Sequence, residues 1–330
     1  LSRYSQNTTA ARAAFDAGQI RQQLPAQLSP LQPLPLSLGA YLNWYGLARL
    51  ARVADYRAAR LAVAGAELVV QQFCQRGPSR GRVVLVHGYM DHAGLTRPLA
   101  AYLFRRGWDL VLYDLPGHGL SAGPCYEVED FFHYADQLGD LLRQLLPQAD
   151  TPLTLIGHST GAAIITTLLL REPALARTPL TQPILLAPLV RPSHWRSIRR
   201  KYQVLRFLLR RVRRFYKRNS HDRRFLNFVR CHDPLQHEYI PVRWIGAMLV
   251  WIRWFEAQTP HPLRPLVIQG SADATVDWQH NLQVLARLFP NGEQRLIEGA
   301  RHNLINEAGR WRRPVYRMVA AALQERVADD

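Results

Sequence analysis

Leu155-Ile156-Gly157-His158-Ser159-Thr160-Gly161 holds a serine with a glycine two residues to either side, where a β-like apolar run gives way to a helix-like one. A serine hydroxyl in that position can attack an acyl carbon, provided a base takes its proton and an acid steadies the base. Gly157 and Gly161 allow a turn sharp enough to push the hydroxyl outward, and the helix N-terminus beyond favours developing negative charge. The five-residue pattern is weak alone, so its partners decide. Of twelve histidines, His302 in Glu298-Gly299-Ala300-Arg301-His302-Asn303 follows the last strand-like run, where a loop can reach back over a sheet edge. His158 is adjacent to the serine, points away from it on so sharp a turn, and reads as a packing or hydrogen-bonding residue. The acid is expected in Ile268-Gln269-Gly270-Ser271-Ala272-Asp273, as Asp273, with Asp277 as the alternative. An acyl-transfer site also needs donors for the oxyanion, worth about 3 kcal/mol each. The backbone N–H of Thr160 is one. The other is expected from His87-Gly88-Tyr89-Met90-Asp91-His92, where Gly88 allows close approach, the Tyr89 N–H turns inward and His92 braces the loop.

Such residues need a scaffold. Short apolar runs at 82–86, 109–113, 152–156, 183–186, 265–268 and 294–297 alternate with helical stretches at 94–106 and 129–146, which predicts a mostly parallel sheet covered on both faces. In an open parallel sheet reactive groups collect at the carboxyl ends of strands, where Ser159, Asp273 and His302 all fall. Ahead of this, Pro25, Pro30, Pro33 and Pro35 mark residues 1 to about 40 as an irregular arm with one short helix near 9–23; a helical patch at 38–55 and paired strands around Ala64-Gly65 follow. Between Ala187 and Pro260 the alternation stops, and that block reads as an inserted helical cap.

The net charge of +17 is unevenly spread. From Arg191 to Arg230 there are fifteen Lys or Arg against one acid, Asp222, leaving the rest nearly neutral. Within this segment Tyr202, Leu205, Leu208, Leu209, Val212, Phe215 and Tyr216 recur at three- and four-residue steps, which predicts a basic amphipathic helix. Two readings stay open: a solvated face over the site, or a surface for anionic lipid, to which Trp195, Trp244, Trp251 and Trp254 add interfacial anchors or an acyl pocket. Nucleic acid fits the charge, but no recognition motif accompanies it. Three cysteines without CxxC spacing suggest neither a disulfide framework nor a zinc site. No apolar run is long enough to span a bilayer. The chain starts at Leu1, so a processed start with any signal peptide already removed is expected, and a cytoplasmic protein with a peripheral membrane contact is the expected setting.

With these residues in view, the stretch from about 60 to 325 resembles the α/β-hydrolase superfamily, in the branch of monoacylglycerol lipases, lysophospholipases and serine aminopeptidase-like hydrolases. The likeness rests on His87 to His92 (HGxxxH), Asp114 to Gly123 (DxxGHGxSxG), Gly157 to Gly161, Gln269 to Asp273 and Glu298 to His302, in that order. It departs in Asp91, shorter than the acid common at that place, and in Ala162, where a further glycine is frequent. The resemblance implies Ser159 as nucleophile, His302 as base, Asp273 as orienting acid, and Tyr89 and Thr160 as oxyanion donors, with Gly88, His92, Gly157, His158 and Gly161 in support. The Asp114 to Gly123 loop is expected to be structural, Ser121 and its glycines shaping a wall beneath the oxyanion loop and His118 hydrogen-bonded within it.

The expected architecture is thus an α/β-hydrolase fold: an arm over 1–55, a core over 56–187 and 261–330, and a basic helical cap over 188–260. The expected activity is hydrolysis of carboxylic esters, lipid-like ones first, without metal or organic cofactor; a short-chain esterase, or a non-catalytic membrane- or polyanion-binding protein on the same fold, is the alternative. A carboxylate nucleophile is excluded at Ser159, which argues against dehalogenase and epoxide-hydrolase chemistry. A +14 segment has the wrong sign to hold a peptide's ammonium group.

Overall fold

The computed structural model describes residues 15–31, 33–145, 152–173, 175 and 182–324. Its elements in chain order are α1 (Ala17–Gln23), β1 (Ser29–Pro30), α2 (Leu36–Trp44), α3 (Ala48–Val53), β2 (Asp55–Val63), β3 (Ala66–Cys74), β4 (Arg82–Val86), α4 (Arg97–Phe104), β5 (Asp109–Tyr113), α5 (Phe132–Leu145), β6 (Leu153–His158), α6 (Thr160–Arg171) and β7 (Ile184–Leu186). They continue with α7 (Trp195–Leu205), β8 (Arg211–Arg213), α8 (Arg223–Cys231), β9 (Tyr239–Pro241), α9 (Val242–Glu256), β10 (Leu266–Gly270), α10 (Trp278–Leu288), β11 (Glu293–Ile297) and α11 (Gly309–Gln324). A nine-stranded sheet runs in the order β1-β2-β3-β5-β4-β6-β7-β10-β11. The steps β1-β2, β2-β3 and β3-β5 are antiparallel and all later steps are parallel. This is the mostly parallel, helix-covered sheet expected from the alternation of runs.

The strands read as continuous apolar runs because both faces of the sheet are covered. Val83, Leu85, Leu110, Leu112, Ile156 and Ile268 pack into one core. Their neighbours in sequence, Val84, Val86, Val111, Leu155 and Val267, pack into the other. Alternate side chains point to opposite faces of a strand, so a run such as Val83-Val84-Leu85-Val86 builds both layers at once.

The expected helical patch begins at Leu36, and its Leu38, Tyr41 and Leu42 are at most 1% exposed; ahead of it β1 adds to the sheet edge against β2. The prolines sit where they do no harm: Pro35 caps α2 and Pro30 lies on an edge strand. Tyr41 meets Phe15 edge to face and accepts from Gln71 Nε2 at 3.2 Å inside the core. The helix expected near 9–23 runs over Ala17–Gln23 behind the N-cap Asp16; its first part lies outside the described residues.

Between Leu186 and Leu266 no strand joins the large sheet. The basic amphipathic helix expected over 202–218 is not there. Helix α7 ends at Leu205, the chain turns, and Arg211–Arg213 pairs antiparallel with Tyr239–Pro241, so the block holds three helices, this ribbon and irregular connections. A continued helix would stack Arg206, Arg210, Arg214 and Arg218 at four-residue steps, and like charges so placed repel. The ribbon separates them and sets Val212 opposite Ile240, with Arg211 4.3 Å over the Tyr239 ring. Of the four tryptophans in the block, Trp251 is wholly buried and Trp244 is 7% exposed, so these two do not serve as interfacial anchors. No helix among the described residues is long and apolar enough to cross a membrane.

Candidate active site

Ser159 sits between β6 and α6 with φ +53° and ψ −113°, a strained backbone that few L-residues adopt. Its N–H donates to Leu186 O at 2.9 Å, tying the turn to β7. The flanking glycines are required by space: a Cβ at Gly157 would meet Ala162 N at 2.5 Å, and one at Gly161 would overlap the Val86 carbonyl. The turn therefore presses directly on β4 and holds the serine against the loop that leaves it.

His302 lies past β11, in a loop that Gly299 (φ +70°) starts. Its Nδ1 is 2.7 Å from Asp273 Oδ2 and its Nε2 3.0 Å from Ser159 Oγ. Facing a carboxylate, Nδ1 carries the proton, which leaves Nε2 to accept from the serine hydroxyl. Asp273 also accepts from Gln269 Nε2 at 3.0 Å and from the N–H groups of Thr275 and Val276 at 2.7 and 3.2 Å. Burial opposes its ionisation, but the facing His302 and these donors outweigh it and hold the carboxyl below the usual range. Asp277, the alternative acid, stands at the start of α10 instead and donates its N–H to Arg191 O at 3.0 Å.

The loop after β4 closes on the serine from the other side. Gly88 lies so near that a Cβ would stand 3.3 Å from Ser159 Cβ. Tyr89 is clamped by its ring, stacked 3.6 Å from Trp244 of α9, and by its hydroxyl, which donates to Tyr126 O at 2.8 Å. Among the described residues the N–H groups of Tyr89 and Thr160 have no hydrogen-bond acceptor, and Thr160 opens α6, so both are free to serve an anion. Beneath the loop, Asp114 accepts from the N–H groups of Ala93 and Leu120 at 2.7 and 2.8 Å. The Ser121 hydroxyl donates to Asp114 O at 2.6 Å, and His118 Nδ1 donates to Pro116 O at 2.9 Å.

His158 and His92 brace this frame. His158 Nε2 donates to His302 O at 3.1 Å, and its Nδ1 stands 3.8 Å from Asp91. Burial, then the neighbouring His302, pushes the His158 ring down to about 3, so it is neutral. Burial lifts Asp91 to about 6, against the pull of His92. His92 Nε2 donates to Asp233 Oδ2 at 3.0 Å, and Tyr45 OH donates to the same carboxylate at 2.6 Å. Asp233 thereby joins the arm, the loop after β4 and the covering segment. Neither Asp233 nor Tyr45 carries a sequence signal for this, since the contacts span 188 and 141 residues.

The Asp233–His92 pair makes stability depend on pH. Burial works against both charges, but their mutual attraction prevails, raising His92 and lowering Asp233. The aspartate's contribution is present above about pH 4 and lost as pH falls through its lowered native value. The histidine's is present below about pH 6.5 and lost as pH rises through its raised one. Asp233→Asn should cost about 3 kcal/mol in that window, and less at pH 9. Urea unfolding at pH 5 and pH 9 checks this; a gap of equal size at both would mean the pair is not ionised.

The family described as Hydrolase_4, serine aminopeptidase S33, matches residues 77–309. A curated relative, the monoacylglycerol lipase of Mycolicibacterium smegmatis, is 30% identical over 104 residues, 31% of this chain and 37% of the relative. The chain thus matches little more than a third of that relative's length. Among solved structures, the monoacylglycerol lipase of Paleococcus ferrophilus superposes with a TM-score of 0.67 at 20% identity, over 80% of this chain and all of that one. A soluble variant of the Saccharomyces cerevisiae monoglyceride lipase, in complex with a substrate analog, gives 0.65 at 20% identity, over 79% and 92% of the two chains. At that identity both speak for the fold.

Proposed function

The chain belongs to the Hydrolase_4 family of α/β-hydrolases, and from that premise we propose that it is a serine ester hydrolase acting on lipid-like carboxylic esters, monoacylglycerols or lysophospholipids, through an acyl-enzyme. The observation that carries this reading is the unbroken chain of hydrogen bonds from Asp273 through His302 to Ser159, 2.7 and 3.0 Å long, beside two unengaged backbone donors.

In this mechanism Ser159 Oγ bonds to the ester carbonyl carbon as its proton passes to His302 Nε2. The oxyanion settles on the N–H groups of Tyr89 and Thr160, while Asp273 steadies the imidazolium through Nδ1. Collapse expels the alcohol, which takes the proton back from Nε2. Water then gives a proton to His302 and its oxygen to the acyl carbon; the second collapse returns the proton to Ser159 and frees the acid. Gly157, Gly161 and Gly88 keep the serine against the oxyanion donors. His92 and His158 hold the loops and move no proton. An aminopeptidase would need a free acid for the substrate ammonium, but Asp233, in the covering segment, is already committed to Tyr45 and His92.

A lipid surface as the source of substrate is part of the same reading. Val204, Phe207, Leu208 and Phe215 are 67%, 78%, 75% and 84% exposed, set among the fifteen cations of 191–230. Apolar anchors interleaved with cations suit an anionic membrane, each basic residue near it adding about 1 kcal/mol.

The test is initial rates on p-nitrophenyl esters of rising chain length, and on monoacylglycerol and lysophosphatidylcholine in neutral and anionic vesicles. A buried methylene contributes about 0.8 kcal/mol, so kcat/KM should climb at least on the order of tenfold from butyrate to octanoate. Anionic vesicles should be the better substrate at low salt, with the advantage fading as salt rises. A maximum at acetate or butyrate would leave a short-chain esterase. An advantage untouched by salt would remove the electrostatic docking.

A further inference from the structure

Helices α4 and α11 lie side by side, with the Tyr102 and Tyr316 rings 5.0 Å apart, and along them runs a groove of about 500 Å³. Six arginines line it: Arg97, Arg105 and Arg106 from α4 and the turn after it, and Arg312, Arg313 and Arg317 from α11. No aspartate or glutamate lines the groove. Among the described residues none of the six guanidinium groups is in an ion pair, although other arginines are. Arg106 lies 3.5 Å over the Tyr102 ring and gives one N–H to the Tyr102 carbonyl; the others keep their donors for a ligand or water.

Folding does not account for this arrangement. Arg97 is the first residue of α4, and Arg312 and Arg313 lie in the first two turns of α11, away from the helix C-termini where a cation is favoured. Neither helix has an acid in its first turn to compensate. Like charges from two helices, more than 200 residues apart in sequence, converge with no aspartate or glutamate among the described residues paired to them. A bound anion would neutralise them.

We propose that this groove binds a small, soluble anion bearing several phosphate groups. The planar guanidinium fork takes phosphate oxygens in pairs. Arg97 and Arg105 stand about 12 Å apart along α4, a span that suits a row of phosphates better than a single one. The volume lies within the range of about 300 to 1,000 Å³ common to small-molecule sites, and its concavity favours a compact ligand over a flat membrane. The groove shares no residue with the Ser159 site, so its ligand is not the ester.

Inorganic tripolyphosphate titrated into the full chain, followed by calorimetry and thermal unfolding at constant ionic strength, tests this. Saturable binding near one equivalent and a raised Tm are expected. Sulfate should bind at least on the order of tenfold more weakly, for want of the extra bidentate contacts. Removing two exposed forks in R105Q/R313Q should weaken tripolyphosphate by a similar factor, on the order of tenfold or more. The cap variant R206Q/R210Q should keep the affinity of the parent. Where the double variant fails to fold, R105Q and R317Q singly should each weaken binding. Equal losses in the groove and cap variants would overturn the proposal, as would a Tm shift reproduced by sodium chloride. So would capture of an RNA oligomer or anionic vesicles through these arginines with tripolyphosphate inert.

Discussion

Ser159→Ala is expected to abolish ester hydrolysis, lowering kcat by about 10,000-fold or more, while the protein stays folded. The hydroxyl makes one hydrogen bond, to His302 Nε2 at 3.0 Å, and stands in a site where Ser159 is 9% exposed. Its loss leaves one buried ring nitrogen unpaired, a cost of about 1 to 3 kcal/mol, which shifts Tm without unfolding the chain. The residual rate comes from the oxyanion donors and substrate binding, neither of which the substitution touches. A fluorophosphonate probe should label the parent at Ser159 and leave the variant unlabelled. An unlabelled parent would point to a binding protein on this fold, and a variant of undiminished activity would end the nucleophile assignment.

Gly161→Ala is expected to be among the most damaging single substitutions in the core. The added Cβ would overlap the Val86 carbonyl and stand 2.8 Å from His87 O. All the clashing atoms belong to backbone, so no side chain can swing aside. Either β4 and the oxyanion loop move away from the elbow or the elbow itself opens. Overpacking of this kind costs about 3 kcal/mol, and either movement displaces Gly88 and Tyr89 from Ser159, so kcat should fall together with stability. Gly39→Ala is the control: that helical glycine faces open space, and the exchange should be neutral or stabilising by about 0.5 to 1 kcal/mol. Thermal unfolding and kcat/KM for both variants make the comparison. A Gly161→Ala protein of parental stability would show that the turn is looser than its packing indicates.

Much of the scaffold is legible in the chain. Runs such as Val83 to Val86 and Leu110 to Tyr113 are apolar at every position because both faces of the sheet are buried, so strand identity and the two-layer cover are local information. The glycines at 157 and 161 are equally local, since each marks a close backbone approach that any side chain would block. Legibility fails where the outcome depends on a distant partner. The apolar spacing from Tyr202 to Tyr216 is helical, but no buried face received it, and Tyr239–Pro241 offered a ribbon to a segment crowded with arginines. How the N-terminal residues pack is not legible because the partners of Tyr41 and Tyr45, Gln71 and Asp233, lie elsewhere in the sequence.

Charge marks the same divide. Counting residues finds the basic segment at 191–230 and leaves the remainder nearly neutral, which is true of the sum and misleading about the surface. Alone, the sequence determined which runs become strands and where the backbone must turn sharply, and it named the residue types proposed for acyl transfer, because these follow from side-chain type and short-range sterics. The tertiary structure alone decided that Asp233 reaches His92 and Tyr45, that Trp251 is core, and that six arginines of α4 and α11 face one groove. Those are outcomes of packing between segments far apart in the chain, and a pairwise distance of that kind is written in no local pattern.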